Sequence, residues 1–161
     1  MNSRKPSPVV WNEERTVAQN ARERLPDLAR EFLEVGRAAA APGARLETMH
    51  PFRLQAKRLR YTLESFEDYY GAGLKRRIEA LQALQDLLGA ISDCAATQKM
   101  LRERKSLPAA ERNRLLRILK PITTKRIEKF RAHWRRHYSQ PSDERWWTGY
   151  LARFARVPSE S

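Results

Sequence analysis

Seven apolar residues, Met49, Phe52, Ala56, Leu59, Leu63, Phe66 and Tyr70, follow one another at spacings of 3, 4, 3, 4, 3 and 4. That rhythm puts them on one side of an α-helix and excludes a strand, whose apolar residues recur at every second position. A helix with one apolar side needs other helices to cover it, so the segment calls for a bundle. The pattern predicts a helix from about Glu47 to Tyr70. Pro51 falls in its first turn, where the missing N–H is harmless, and Gly71 and Gly73 mark its end.

The rest of the chain reads the same way. A first helical region spans about Asn12 to Ala41, with Asn12 as its cap, a kink or restart at Pro26 and a stop at Pro42-Gly43. A third helix starts near Leu74 and ends before Leu107-Pro108, with a seam of Leu81, Leu84, Leu88, Ile91 and Ala95 and with Gly89 inside it. A fourth region runs from about Pro108 to Tyr138 through Leu116, Leu119, Ile127, Phe130 and Trp134, and Pro121 is expected to break or kink it. A short last helix from about Asp143 puts Trp147, Leu151 and Phe154 on one side. Sustained period-2 alternation is absent. The expected fold is therefore all-α, an antiparallel bundle of about four to five helices. The 161 residues suffice for one domain, 12–157, between a flexible N-terminal tail, 1–11, and a tail at 158–161.

Charge narrows the function. The formal net charge is +13 with 41% hydrophobic residues, so the chain is a folded polycation and not a disordered one. Such a domain attracts a polyanion. No apolar run reaches the ~18–20 residues of a membrane span, and the N-terminus lacks the apolar core of a signal peptide. The lone Cys94 excludes an internal disulfide and suits a reducing compartment, so a cytoplasmic location is expected.

The cations are arranged. His50, Arg53, Lys57 and Arg60 stand at spacing 3-4-3, a second stripe on the helix of the apolar seam, ~15 Å long at the helical rise. It contains no carboxylate before Glu64. Like charges at these spacings repel by a few tenths of a kcal/mol per pair, so an acid of the chain or an external anion must offset them. A row of cations is by default a solvated face. Against that stand its place beside the seam, the 24 arginines against 8 lysines, and its repetition in Arg126, Lys129, His133 and Arg136. Arginine gives fixed, bidentate recognition of phosphate oxygens. The two stripes are expected to share one basic cleft.

Other candidates carry less. His133 and His137 stand at i, i+4, but neither a HExxH glutamate nor a third ligand accompanies them, so no metal is expected. No paired carboxylates or acidic metal site accompany the stripes, which argues for binding without catalysis and without a cofactor. Asp86 reads as exposed, Trp147 as core, Trp146 as a residue at an interface, and Cys94 as a small buried residue. A nucleic acid is the alternative polyanion, since backbone contacts dominate there too, but the stripe offers little to read bases.

The segment HPFRLQAKRLRY at 50–61, followed by LQALQDLLGAISD at 81–93, resembles the conserved-histidine α-helical domain family, CHAD, over about residues 45–105. The resemblance implies a helical bundle that binds inorganic polyphosphate through a basic groove. It assigns His50, Arg53, Lys57, Arg58 and Arg60 to the basic motif. Gln85, Gly89 and Asp93 fall on the second element, with Gln85 and Asp93 as supporting residues and Asp93 orienting a stripe arginine. Arg126, Lys129 and Arg136 become a secondary polyphosphate site. The family's domain has two related halves, and this chain resembles one, most closely the second. A homodimer is therefore expected to restore the groove, strengthened by polyphosphate or formed only with it, with Trp146, Trp147 and Tyr150 as interface candidates and association with polyphosphate granules as a further expectation.

Overall fold

In the computed structural model, which describes residues 10–156, the first helix is capped by Thr16 and not by Asn12. Thr16 Oγ1 accepts the backbone N–H of Gln19 at 3.2 Å, and Gln19 Oε1 accepts that of Thr16 at 2.9 Å. This reciprocal box satisfies two orphan donors at once, which Asn12 followed by Arg15 cannot do. Asn12 instead ties the incoming chain to the helix. Its N–H donates to Asn20 Oδ1 and its carbonyl accepts from Asn20 Nδ2, both at 2.8 Å. Trp11, read from the sequence as part of a tail, lays its ring 5.4 Å from that of Phe66. The remaining tail positions, 1–9, and those after 156 lie outside the described residues.

Helix α1, Val17–Ala40, passes through Pro26 without the expected restart. An internal proline costs about 3 kcal/mol. Burial of Leu25, Phe32 and Leu33 on the same helix, at about 1.5–3 kcal/mol each, outweighs it. The helix stops at Pro42-Gly43, where Gly43 adopts φ 74°. A 3-10 turn, Leu46–Thr48, leads into α2, Met49–Glu64, and α3 is the short Glu67–Tyr70. The single helix expected over 47–70 is thus divided at Ser65-Phe66. Ser65 Oγ donates to the Tyr61 carbonyl at 3.0 Å, a local bond that competes with helix continuation, and Phe66 leaves helical geometry at φ −116°, ψ 10°.

Gly71, at φ 71°, starts α4, Ala72–Glu103, and α5 is Ala109–His137. The break expected at Pro121 does not occur. The carbonyl that Pro121 leaves without a donor belongs to Arg117, an exposed residue that water can serve. Helix α6, Pro141–Arg145, a π-helical turn, Trp146–Tyr150, and α7, Leu151–Arg153, close the fold. Trp147 and Leu151 are fully buried, but Phe154, expected beside them, is 46% exposed and stacks on Tyr150.

Every element among the described residues is helical. Helix α4 packs against α2 on one side and α5 on the other, and α1 packs against α2 and the C-terminal turns. Phe32, Phe52, Phe130, Trp134 and Trp147 fill the centre. Helices α1 and α5 meet at Gly36, where a Cβ would stand 2.0 Å from the Trp134 ring. Of the C-terminal aromatics expected at an interface, Trp147 is fully buried, while Trp146 and Tyr150 are half-buried and also pack within the chain. Trp146 stacks on Tyr150 at 4.5 Å, the Tyr150 hydroxyl donates to the Tyr70 carbonyl at 2.6 Å, and the Tyr70 hydroxyl donates to the Leu151 carbonyl at 2.7 Å.

Candidate functional site

Burying Phe52, Ala56, Leu59 and Leu63 fixes the rotation of α2, and with it the position of every cation on that helix. Arg53 and Arg60 come to the edge that meets α4, both half-buried, while His50 and Lys57 stand one step outward and are exposed. Arg53 lies over Gly89 of α4, its Nε 3.8 Å from where a glycine Cβ would be. Arg60 Nη1 donates to Glu64 Oε1 at 3.1 Å. Its guanidinium also sits 4.6 Å from the centre of the Tyr61 ring, and Lys57 Nζ lies 5.4 Å from the same ring. Tyr61 thus holds two cations by its π-face.

The seam between α2 and α4 collects polar atoms that lack partners. Arg53 Nε, Arg60 Nε, Gln85 Nε2 and Ser92 Oγ are all buried without a hydrogen bond. Gln85 precedes Gly89 by one turn and Ser92 follows it by three residues, so both share the α4 face that meets Arg53. Such groups are normally paired, and each one left unsatisfied costs about 1–3 kcal/mol. None of the ion pairs among the described residues involves His50, Arg53 or Lys57. The seam is therefore a line of positive charge and hydrogen-bond donors with Glu64 as its only carboxylate partner among the described residues.

The other assigned residues fall differently. Arg58 is five positions from Arg53, about 140° around the helix, and faces away from α4. Asp93 is exposed. Its carbonyl accepts from Thr97 Oγ1 at 2.8 Å, and its carboxylate forms no ion pair with Arg53 or Arg60. The two stripes each meet α4: Arg53 stands over Gly89, and Arg126 of the α5 stripe reaches the neighbouring Ala90 carbonyl. On the α5 side, Arg126 Nη1 donates to the Ala90 carbonyl at 2.7 Å and to Cys94 Sγ at 3.0 Å, joining the helices. His133 Nε2 is 3.0 Å from the Ala80 carbonyl and its ring packs 4.5 Å from that of His137. Burial holds both imidazoles below the ordinary histidine range; the nearby Arg136 adds to this. Lys129 and Arg136 remain exposed beside them.

Two residues of the seam escaped the sequence reading. Tyr61 closes the quoted basic segment, four residues after Lys57, and its spacing was the available signal. Ser92 stands seven residues after Gln85, two turns along one face.

Comparison with curated proteins and with solved structures gives no match. The family model of the CHAD domain matches residues 3–102, a span that takes in α1, α2, α3 and nearly all of α4, and so both walls of the seam. That match, together with the basic segment on α2 and the Gly89 element it packs against, makes the chain a member of the CHAD domain family, carrying a partial-length copy of the domain.

Proposed function

We propose that the chain binds inorganic polyphosphate along the α2–α4 seam, without catalysis. The observation that carries the proposal is the row of Arg53, Lys57 and Arg60 on α2, in which the Nε atoms of both arginines are buried without a hydrogen bond. A phosphate chain presents acceptor oxygens at every repeat and satisfies such donors in series; arginine meets them bidentately. His50 extends the row at its exposed end. Gln85 and Ser92 supply neutral donors from the facing helix. Lys129 and Arg136 on α5 form a second, weaker run, in which Arg126 serves chiefly as a helix–helix link. The association of the CHAD family with polyphosphate supports the same ligand. The proposal extends to two copies bridged by one polyanion, and to a cytoplasmic location at polyphosphate granules.

The test is competition at fixed salt between labelled long-chain polyphosphate and unlabelled polyphosphate, duplex DNA or single-stranded RNA. Polyphosphate is expected to displace the label at the lowest phosphate concentration. Preference for either nucleic acid would replace this reading by the nucleic-acid one.

A further inference from the structure

Beside the segment that leads from α1 to α2, the paired α4 and α5 leave an open face lined also by Ala44 and Leu46. A groove of about 950 Å³ runs along it. On α5 it is lined by Ala110, Asn113, Leu116, Lys120, Thr123 and Ile127, at spacings of 3, 3, 4, 3 and 4. That is the seam rhythm of a helix packed on its neighbours, continued for ~25 Å along an open groove. Leu46 and Gln98 form the opposite wall. Gln98 Nε2 donates to Thr123 Oγ1 at 2.9 Å, which in turn donates to the Leu119 carbonyl, so the polar atoms at this point are already served. Leu116 and Ile127 stay half-buried, an apolar floor.

The rim is basic. Arg102, Arg117 and Lys120 line the groove, and no lining residue is acidic. Glu47, on the neighbouring 3-10 turn, is paired with Arg45 at 3.4 Å. A second copy of a chain at +13 is a poor occupant of such a rim. A phosphate chain has no use for the apolar floor, and a compact small molecule does not match a stripe ~25 Å long.

We propose that this groove is a docking site for an acidic amphipathic helix of a partner protein. Its Leu or Ile side chains at i, i+3 or i+4, and i+7 enter between Leu116 and Ile127, and its flanking Asp and Glu meet Arg102, Arg117 and Lys120. The groove lies at the far end of α4 from Gly73 and includes none of Arg53, Lys57 or Arg60, so this inference stands independently of polyphosphate binding.

The probe is a labelled synthetic helix of about 18 residues, the length of the stripe, with Leu on one side and Glu on both flanks. Its control is a scrambled peptide of the same composition. Anisotropy is read with the full chain. The designed helix is expected to bind at least about tenfold more tightly than the scrambled one. Leu116→Asp and, separately, Arg117→Glu with Lys120→Glu are expected to abolish the difference, with helicity checked by circular dichroism. Arg53→Glu with Arg60→Glu is expected to leave peptide binding in place. Equal binding of the two peptides, or a designed helix that binds Leu116→Asp as it binds wild type, overturns the proposal. So does self-association of the free chain in light scattering that Leu116→Asp removes, which would give the groove to a second copy. Should Leu116→Asp fail to fold, the exposed-rim pair alone decides: undiminished preference for the designed helix in that variant overturns the proposal.

Discussion

Arg53 rests its guanidinium stem on Gly89, with Nε 3.8 Å from the place a Cβ would take on that residue. That distance is ordinary van der Waals contact, so an alanine fits and a longer side chain does not. Gly89→Ala is expected to raise stability by up to about 1 kcal/mol, the helix-propensity gain, and to leave polyphosphate affinity near wild type. Gly89→Leu is expected to stay folded while lifting Arg53 off the seam and weakening binding. Urea midpoints and anisotropy titrations on the two variants check this pair of outcomes.

The row itself is tested by Arg53→Glu with Arg60→Glu. Neither residue belongs to the apolar seam of α2, so helicity is expected to survive. Polyphosphate affinity is expected to fall by at least about tenfold and the salt dependence of binding to become shallower, since fewer counterions are displaced. A folded double variant that binds as wild type does removes the seam as the site.

Gly36 is the opposite case from Gly89. A Cβ there would stand 2.0 Å from the Trp134 ring, inside the core where α1 meets α5. Gly36→Ala is expected to destabilise the fold by about 1–3 kcal/mol, the usual range for overpacking, despite its gain in helix propensity. Denaturant unfolding measures it, and a stability equal to wild type would show that α1 and α5 separate freely.

These cases show what the sequence made legible. Burial of Met49, Phe52, Ala56, Leu59 and Leu63 follows from spacing alone, and so does the rotation that brings Arg53 and Arg60 to an edge. The restart expected at Pro26 does not occur because a local penalty was set against tertiary burial that a single segment does not display, and at Pro121 the helix continues with the orphaned Arg117 carbonyl left to water. Periodicity tells which side of α2 and of α5 is basic, but only the packing tells what each cation meets on α4. Arg126 shows the consequence, since its charge is drawn into a bond to the Ala90 carbonyl.

Stability is expected to depend on pH through His133 and His137. Burial is the main cause holding both imidazoles below their unfolded value of about 6.5. The unfolded chain therefore binds more protons than the folded one in the window beneath that value, and stability falls as pH drops through it. Above about pH 7 the two states are equally deprotonated at these sites and the dependence vanishes. Urea midpoints between pH 5 and pH 8 are expected to decline toward the acid side, and His133→Gln with His137→Gln to flatten the decline. An unchanged slope in that variant would place the dependence elsewhere.

The last prediction concerns the number of chains per ligand. With the Trp147 ring fully buried and Trp146 and Tyr150 stacked on one another, Phe154 is the C-terminal aromatic left exposed for a ligand-free interface. Two chains at +13 also repel, most strongly at low salt, where the Debye length is longest. A polyanion laid along the α2–α4 seams of two copies reverses the sign of that repulsion, and a two-fold arrangement is the simplest closed way to share it. Light scattering is therefore expected to give a monomer without ligand at low salt and a dimer with long-chain polyphosphate, while the Arg53→Glu, Arg60→Glu variant stays monomeric in both. A wild-type chain that binds long-chain polyphosphate tightly and remains a strict monomer would show that one seam suffices, and the dimer would then be dropped while the binding site stands.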